Sequence, residues 1–310
     1  MERRTFLATA AAASAFSLAP SASGHASASR TASIARRAGD FKMAYAPHFG
    51  MFGNLAGGDA VAQLEFAREQ GFTAWEDNGM MGRSEDEQKR IAAAMERLGI
   101  RMGVFVCNPG TAWKHSFCAR NKDDREQFLS ECRQAVECAK RVNATWMTVV
   151  PGRLHDRLHE DVQTAYAIEQ LRMAADIFEP HNLVMVLEPL NPFRDHPGML
   201  LARSTHAYAI CKGVNSPSCK ILFDIYHQQI TEGNLIPNID TCWDEIAYFQ
   251  IGDNPGRREP TTGEINYRNI FKHLANRKFT GILGMEHGNS RGGSEGDQAV
   301  IDAYRACDDF

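Results

Sequence analysis

The sequence predicts a closed (β/α)8 barrel, and three observations predict it. Eight short apolar runs recur along residues 41–310, each followed by a stretch with helical spacing. Runs such as "LVMVL" have no polar face, which demands a parallel sheet covered by helices on its outer side. No Gly-rich phosphate fingerprint follows an early run, which disfavours the competing doubly wound open sheet. Eight such units fill the length of one barrel, so no second domain is expected.

In chain order the strands are read at 42–46, 72–76, 101–106, 145–150, 183–188, 220–224, 247–251 and 281–286. The helical partners of the first four are "DAVAQLEFAREQG", "SEDEQKRIAAAMERLG", "KDDREQFLSECRQAVECAKRVN" and "HEDVQTAYAIEQLRMAADIFEPHN". Those of the last four are "STHAYAICKGVN", "NIDTCWDEI", "NYRNIFKHLANRKF" and "GDQAVIDAYRACDDF". Several of these segments stop on Gly or Asn, the residues that most readily take the left-handed conformation ending a helix.

The 310 residues are 44% hydrophobic and 23% charged, an ordinary globular composition. A net charge of −4 argues against a phosphate-backbone binder, which carries a basic stripe. The first residues differ from the rest. "MERRTFLATAAAASAFSLAPSASGHASA" sets Arg3 and Arg4 before a weakly apolar Ala-rich run that ends in Ala26, Ser27 and Ala28. This order is that of a twin-arginine-type signal peptide over 1–28, followed by a linker at 29–40, and it implies a periplasmic or otherwise exported protein. The apolar run is too short and too poor in Leu and Ile to span a bilayer. None of the eight cysteines falls in a C-x-x-C pair, and Cys132 and Cys138 lie on the apolar face of a helix, so both are expected as small core residues.

Reacting groups in such a barrel project from the carboxyl ends of its strands. Four consecutive runs end on an oxygen-bearing side chain: "VMVLE" at Glu188, "KILFD" at Asp224, "IAYFQ" at Gln250 and "ILGME" at Glu286. One such residue alone serves equally well as an ion-pair partner or helix cap. Four at equivalent ends converge on one mouth, where three carboxylates repel unless a cation sits among them. Hard oxygen donors favour Mg2+ or Mn2+, with Zn2+ less suited to a set without His or Cys.

Past these ends lie "LEPLN", "LFDIYHQQITEGNL", "FQIGDNPGRREPTTGEINY" and "GMEHG". These segments resemble the hydroxypyruvate isomerase family, within the xylose isomerase-like barrel superfamily that includes tagatose and psicose 3-epimerases. The resemblance covers most of 41–310 and is strongest from Leu187 onward. It implies that Glu188, Asp224, Gln250 and Glu286 hold a divalent metal and that Glu188 and Glu286 are the acid/base pair. By the same resemblance His227 touches a substrate oxygen and Arg257 meets the substrate's distal polar end. Trp113 fits a pocket wall as well as an ordinary buried aromatic, and Glu264 either supports the substrate site or fixes the entry to the next helix. The implied activity is a metal-dependent isomerisation or epimerisation of a small keto acid or sugar through an enediolate, nominally hydroxypyruvate to tartronate semialdehyde. A lyase or hydrolase acting on 3-keto sugars, or an exported barrel that binds sugar without turnover, are the competing readings. The chain departs from the family after strand eight, with "EHGNSRGG", and after strand three, with "VCNPGTAWKHSF", so the pocket walls are its own. No nucleic acid is expected as a partner, and apolar helix faces would suit a homo-oligomer.

Overall fold

The computed structural model describes residues 37–310. The expected signal peptide and most of the linker lie outside the described residues. Among the described residues eight parallel strands form the wall: β1 (Ala44–Ala46), β2 (Ala74–Trp75), β3 (Arg101–Met102), β4 (Trp146–Val149), β5 (Val184–Leu187), β6 (Cys219–Asp224), β7 (Ile246–Gln250) and β8 (Ile282–Gly284). Six of them run in the order β1-β8-β7-β6-β5-β4, and β2 pairs with β3. Two parallel bridges join these sheets, His48 with Glu76 and Val106 with Thr148, so the ring continues past the strand ends.

The helices are α1 (Gly53–Ala56), α2 (Ala60–Glu69), α3 (Glu85–Leu98), α4 (Lys122–Val142), α5 (Glu160–Phe178), α6 (Ser204–Val214), α7 (Ile225–Thr231), α8 (Leu235–Cys242), α9 (Tyr267–Asn276) and α10 (Gly293–Cys307). Their ends carry the capping chemistry visible in the sequence. Asp59 accepts from the backbone N–H groups of Val61 and Ala62 at the start of α2, and Asn121 does the same for Asp123 and Asp124 at α4. Gly99, Asn143 and Asn215 end α3, α4 and α6 in the left-handed conformation. Among the described residues no helix is long and apolar enough to cross a membrane.

The strands alternate strictly between two cores. Ala46, Ala74, Val104, Val186, Leu222, Tyr248 and Ile282 form one buried cluster inside the ring. Their chain neighbours, among them Trp75, Leu187, Phe223, Phe249 and Leu283, pack outward into the larger core under the helices. All eight cysteines are buried and unpaired, Cys132 and Cys138 included, as expected for small core side chains.

Because side chains alternate with period two, the residue two places beyond each inner-cluster member points into the mouth. That rule takes Val186 to Glu188, Leu222 to Asp224, Tyr248 to Gln250, and Ile282 through Gly284 to Glu286. It also takes Ala74 to Glu76.

The structure differs from the sequence reading in two places. Most strands are shorter at one or both ends than the apolar runs. A helix, α7, starts directly on β6, ahead of the "NIDTCWDEI" segment that the sequence reading took as the helical partner of that strand; Asp224 is its N-cap, accepting the His227 N–H at 3.1 Å. This cap is the local reason that Asp224 and His227 face the same cavity.

Gly284 is needed where it stands. A Cβ there would lie 1.8 Å from Glu76 Oε2 and 3.2 Å from Gln250 Cγ, both held in the barrel interior. Gly284→Ala is expected to destabilise by about 1–3 kcal/mol through overpacking. A urea midpoint that falls at constant slope would show this, and an unmoved midpoint would mean that the interior yields freely.

Candidate active site

The four strand-end residues converge as the alternation requires. One donor atom from each of Glu188, Asp224, His227 and Glu286 lies within 4.8 Å of the others. Glu188, Asp224 and His227 are buried, and Glu286 is partly so. Gln250 is buried beside them; its Nε2 donates to Glu76 Oε1 at 2.9 Å.

Each carboxylate has different company. Glu286 accepts from Asn78 Nδ2 at 2.7 Å and from Arg257 Nη2 at 2.6 Å. Asp224 lies 3.5 Å from the same guanidinium. Among the described residues Glu188 meets only the His227 ring, 3.7 Å from Nε2. Burial first, then the charges of Glu286 and Asp224, push the Glu188 carboxyl well above the usual range. Burial also raises Glu286, though Arg257 pulls it back. Against the cost of burial, the charges of Glu286, Asp224 and Glu188 hold the Arg257 guanidinium above its ordinary value.

Arg257 therefore sits among the carboxylates, where the sequence reading had it reaching for a distal substrate group. The long loop after β7 holds it there. Asp253 accepts from the N–H groups of Gly263 and Ile265, Arg257 N donates back to Asp253 O at 2.7 Å, and Glu259 ties the loop to Ser290 beyond β8. Arg257 also lies over the Tyr226 ring, 4.9 Å from its centroid.

His227 is fully buried, and burial lowers it to about 4, so the ring is neutral at neutral pH. Its edge meets His196 at 5.3 Å between centroids, and His196 stacks on Trp113 at 5.4 Å and 17°. Trp113 is 52% exposed, so it is a rim residue and not a core aromatic. Glu264 is exposed and stands apart from this group. Its Oε1 is shared by Asn254 Nδ2 at 2.5 Å and Gln229 Nε2 at 3.1 Å, which fits the loop-fixing alternative and not a substrate contact.

Sequence reasoning missed Glu76, Asn78, Asn191 and His196. Glu76 ends the second apolar run just as Glu188 ends the fifth, so the same strand-end rule finds it. It is fully buried between Tyr248 Oη at 2.8 Å and the Gln250 amide; burial, then the Glu286 charge, push it to about 8.

The donor set suits a hard divalent cation, and one atom argues for this on its own. Gln250 Oε1 is buried with no hydrogen-bond partner, while its amide nitrogen donates to Glu76. A buried carbonyl oxygen left bare on the strand residue in register with Asp224 is costly unless a donor or a cation meets it.

A family model described as "Xylose isomerase-like TIM barrel" matches residues 64–307. The chain belongs to that family. It is 33% identical to hydroxypyruvate isomerase of Escherichia coli over 52% of its own length and 62% of that protein. It is 30% identical to 2-oxo-tetronate isomerase of Pectobacterium atrosepticum over 66% of its length and 78% of the relative. Thus the alignment with the E. coli relative spans less than two thirds of that enzyme. Among solved structures, 3-keto-D-glucoside 4-epimerase of E. coli superposes with a TM-score of 0.70 at 18% identity, covering 86% of this chain and 99% of the other. That likeness concerns the fold.

The raised Glu76 gives a pH prediction. Between its ordinary 4.5 and about 8 the folded protein keeps a proton that the unfolded chain has lost. The folded state binds more protons in that window, so its contribution to stability is full below 4.5 and is lost as pH rises through about 8. Chelator-treated protein is expected to melt at falling temperature across this window, and added Mn2+ to flatten the fall by giving the ionised carboxylates a partner. Identical pH profiles with and without Mn2+ would contradict the cation reading.

Proposed function

We propose that the protein is a metal-dependent isomerase of a small α-hydroxy carbonyl compound, with hydroxypyruvate as the first substrate to try. The observation that carries this is the pair Glu188 and Glu286, with carboxylate oxygens within 4.8 Å of each other in unlike surroundings. Both relatives are isomerases of small oxo compounds, hydroxypyruvate and 2-oxo-tetronate, which supports the same class.

Glu188, Asp224, Gln250 and Glu286 would hold the cation, which would polarise the substrate carbonyl and offset the carboxylate charges. Glu286, whose raised proton affinity Arg257 and Asn78 pull back, is the better suited of the two to remove a proton from the carbon that bears the hydroxyl. The electron pair of that C–H bond becomes the new carbon–carbon double bond, and the carbonyl oxygen takes up the displaced charge. His227, neutral at neutral pH, would donate to that oxygen. Glu188, whose acid form is favoured, is suited to return a proton to the neighbouring carbon. Two carboxyls whose environments push their proton affinities apart divide the acid and base roles in this way. Transfer of the hydroxyl proton between the two oxygens completes the isomerisation.

Incubation of Mn2+-loaded protein with hydroxypyruvate in D2O should place deuterium on carbon next to the carbonyl. Glu188→Gln and Glu286→Gln should each slow this roughly a hundred- to ten-thousand-fold. Exchange that persists in both variants would remove the carboxylates from the mechanism, and tight binding without exchange would favour a non-catalytic barrel. From Arg3, Arg4 and the Ala26-Ser27-Ala28 stretch we further propose export by the twin-arginine route. Fractionation of expressing cells tests it: periplasmic protein beginning near Ser29 is expected, and Arg3→Lys with Arg4→Lys should retain the chain in the cytoplasm.

A further inference from the structure

The loop after β5 carries Asn191, buried, directly behind His227. Its Oδ1 accepts two backbone N–H groups, those of Arg194 at 3.0 Å and Asp195 at 3.2 Å. A backbone N–H can only donate, so this end of the amide is the oxygen and the other end is the NH2. That NH2 lies 2.8 Å from Asp195 Oδ2 and 2.7 Å from His227 Nδ1. The Asn191 backbone N–H points at the same ring nitrogen, at 3.4 Å. Nδ1 thus faces two donors and must accept.

We propose that Asn191 is a positioning residue that locks His227 in the Nε2–H tautomer, and so keeps it out of the cation's ligand set. With Nδ1 accepting, the one ring proton is on Nε2, which faces Glu188 Oε1 and Asp224 Oδ2, each 3.7 Å away. The only described contact against this is Arg257 Nη2, 3.4 Å from Nε2. That guanidinium nitrogen already donates to Glu286 at 2.6 Å. One weak contact on Nε2 does not outweigh two donors on Nδ1, the shorter at 2.7 Å. A nitrogen that carries a proton has no lone pair for a metal. The cation would then see oxygen alone, from Glu188, Asp224, Gln250 and Glu286, although His227 is near enough to be a ligand. All-oxygen sets favour Mg2+ and Mn2+, and an imidazole would move the preference toward Zn2+.

The inference builds on the proposed cation site, but the tautomer is measurable without any cation. In metal-free protein labelled with 15N-histidine, two-bond 15N–1H spectra should show His227 protonated at Nε2 with its lone pair on Nδ1, the signals being assigned by their loss in His227→Gln. Asn191→Asp combined with Asp195→Asn conserves charge and exchanges the hydrogen-bond roles between the two positions, leaving a carboxylate to accept from Nδ1. In that double variant the proton should move to Nδ1, and the ratio of Zn2+ to Mn2+ affinity, by competition titration, should rise on the order of tenfold. Wild-type His227 protonated at Nδ1, or at both nitrogens, overturns the proposal even if the variant does not fold. A folded variant with an unmoved proton overturns it as well, and a moved proton with an unchanged affinity ratio overturns the exclusion from the ligand set. If no divalent ion binds the wild type while the tautomer is as stated, the Asn191 role stands and the cation reading fails.

Discussion

Three carboxylates share the barrel mouth. At the separations found between Glu188, Asp224 and Glu286, within 4.8 Å, each like-charge pair costs several kcal/mol at the effective dielectric of a protein site. Arg257 offsets only part of this, because a single guanidinium reaches Glu286 closely and Asp224 at 3.5 Å, while Glu188 receives no hydrogen bond from it among the described contacts. The unbalanced charge makes the site receptive to a cation and makes one carboxyl an acid. The barrel supplies what such an arrangement needs, strands that fix each side chain from behind and cannot relax to separate them.

Loops answer to the same constraint. A guanidinium that neutralises two site carboxylates has to be held against its own flexibility, since loss of side-chain freedom opposes every long side chain that is pinned. The 251–266 segment does this by saturating Asp253 with backbone donors and by crossing to Ser290 through Glu259. Its Gly and Pro residues allow the chain to turn back on itself. A Cβ at Gly263 would lie 2.0 Å from Asn254 O. What looks in the sequence like a long polar excursion is thus a packed strut.

Much of the centre was legible before any coordinates. Strand alternation is a property of the backbone, so polar residues that end apolar runs must arrive at the mouth together, as Glu188, Asp224, Gln250 and Glu286 do. The same rule applied to the second run reaches Glu76, whose importance is hidden because it acts inside the barrel, through Gln250. The path of a loop has no such periodicity. Nothing in the spacing of Asn191 or His196 says that one lies behind His227 and the other bridges it to Trp113. Arg257 was identified as a site residue while its partners were not, because its contacts depend on where the strut folds back. Glu264 sits in the same segment and was taken by Asn254 and Gln229.

Besides Asn78, which donates to Glu286, two neutral amides set direction at the centre, and their neutrality is the point. A site already overloaded with negative charge gains nothing from further carboxylates, and Arg257 already supplies it with one fixed positive charge. An amide has two unlike ends, so it sets direction without adding charge. Gln250 gives its NH2 to Glu76 and keeps its oxygen buried without a partner; Asn191 gives its oxygen to the backbone and turns its NH2 to His227. The first leaves an acceptor free inside the barrel, and the second presents a donor to the imidazole. Replacing either by a carboxylate of the same shape would keep the packing and reverse the polarity. The chemistry of this mouth is therefore specified by hydrogen positions as much as by the placement of heavy atoms.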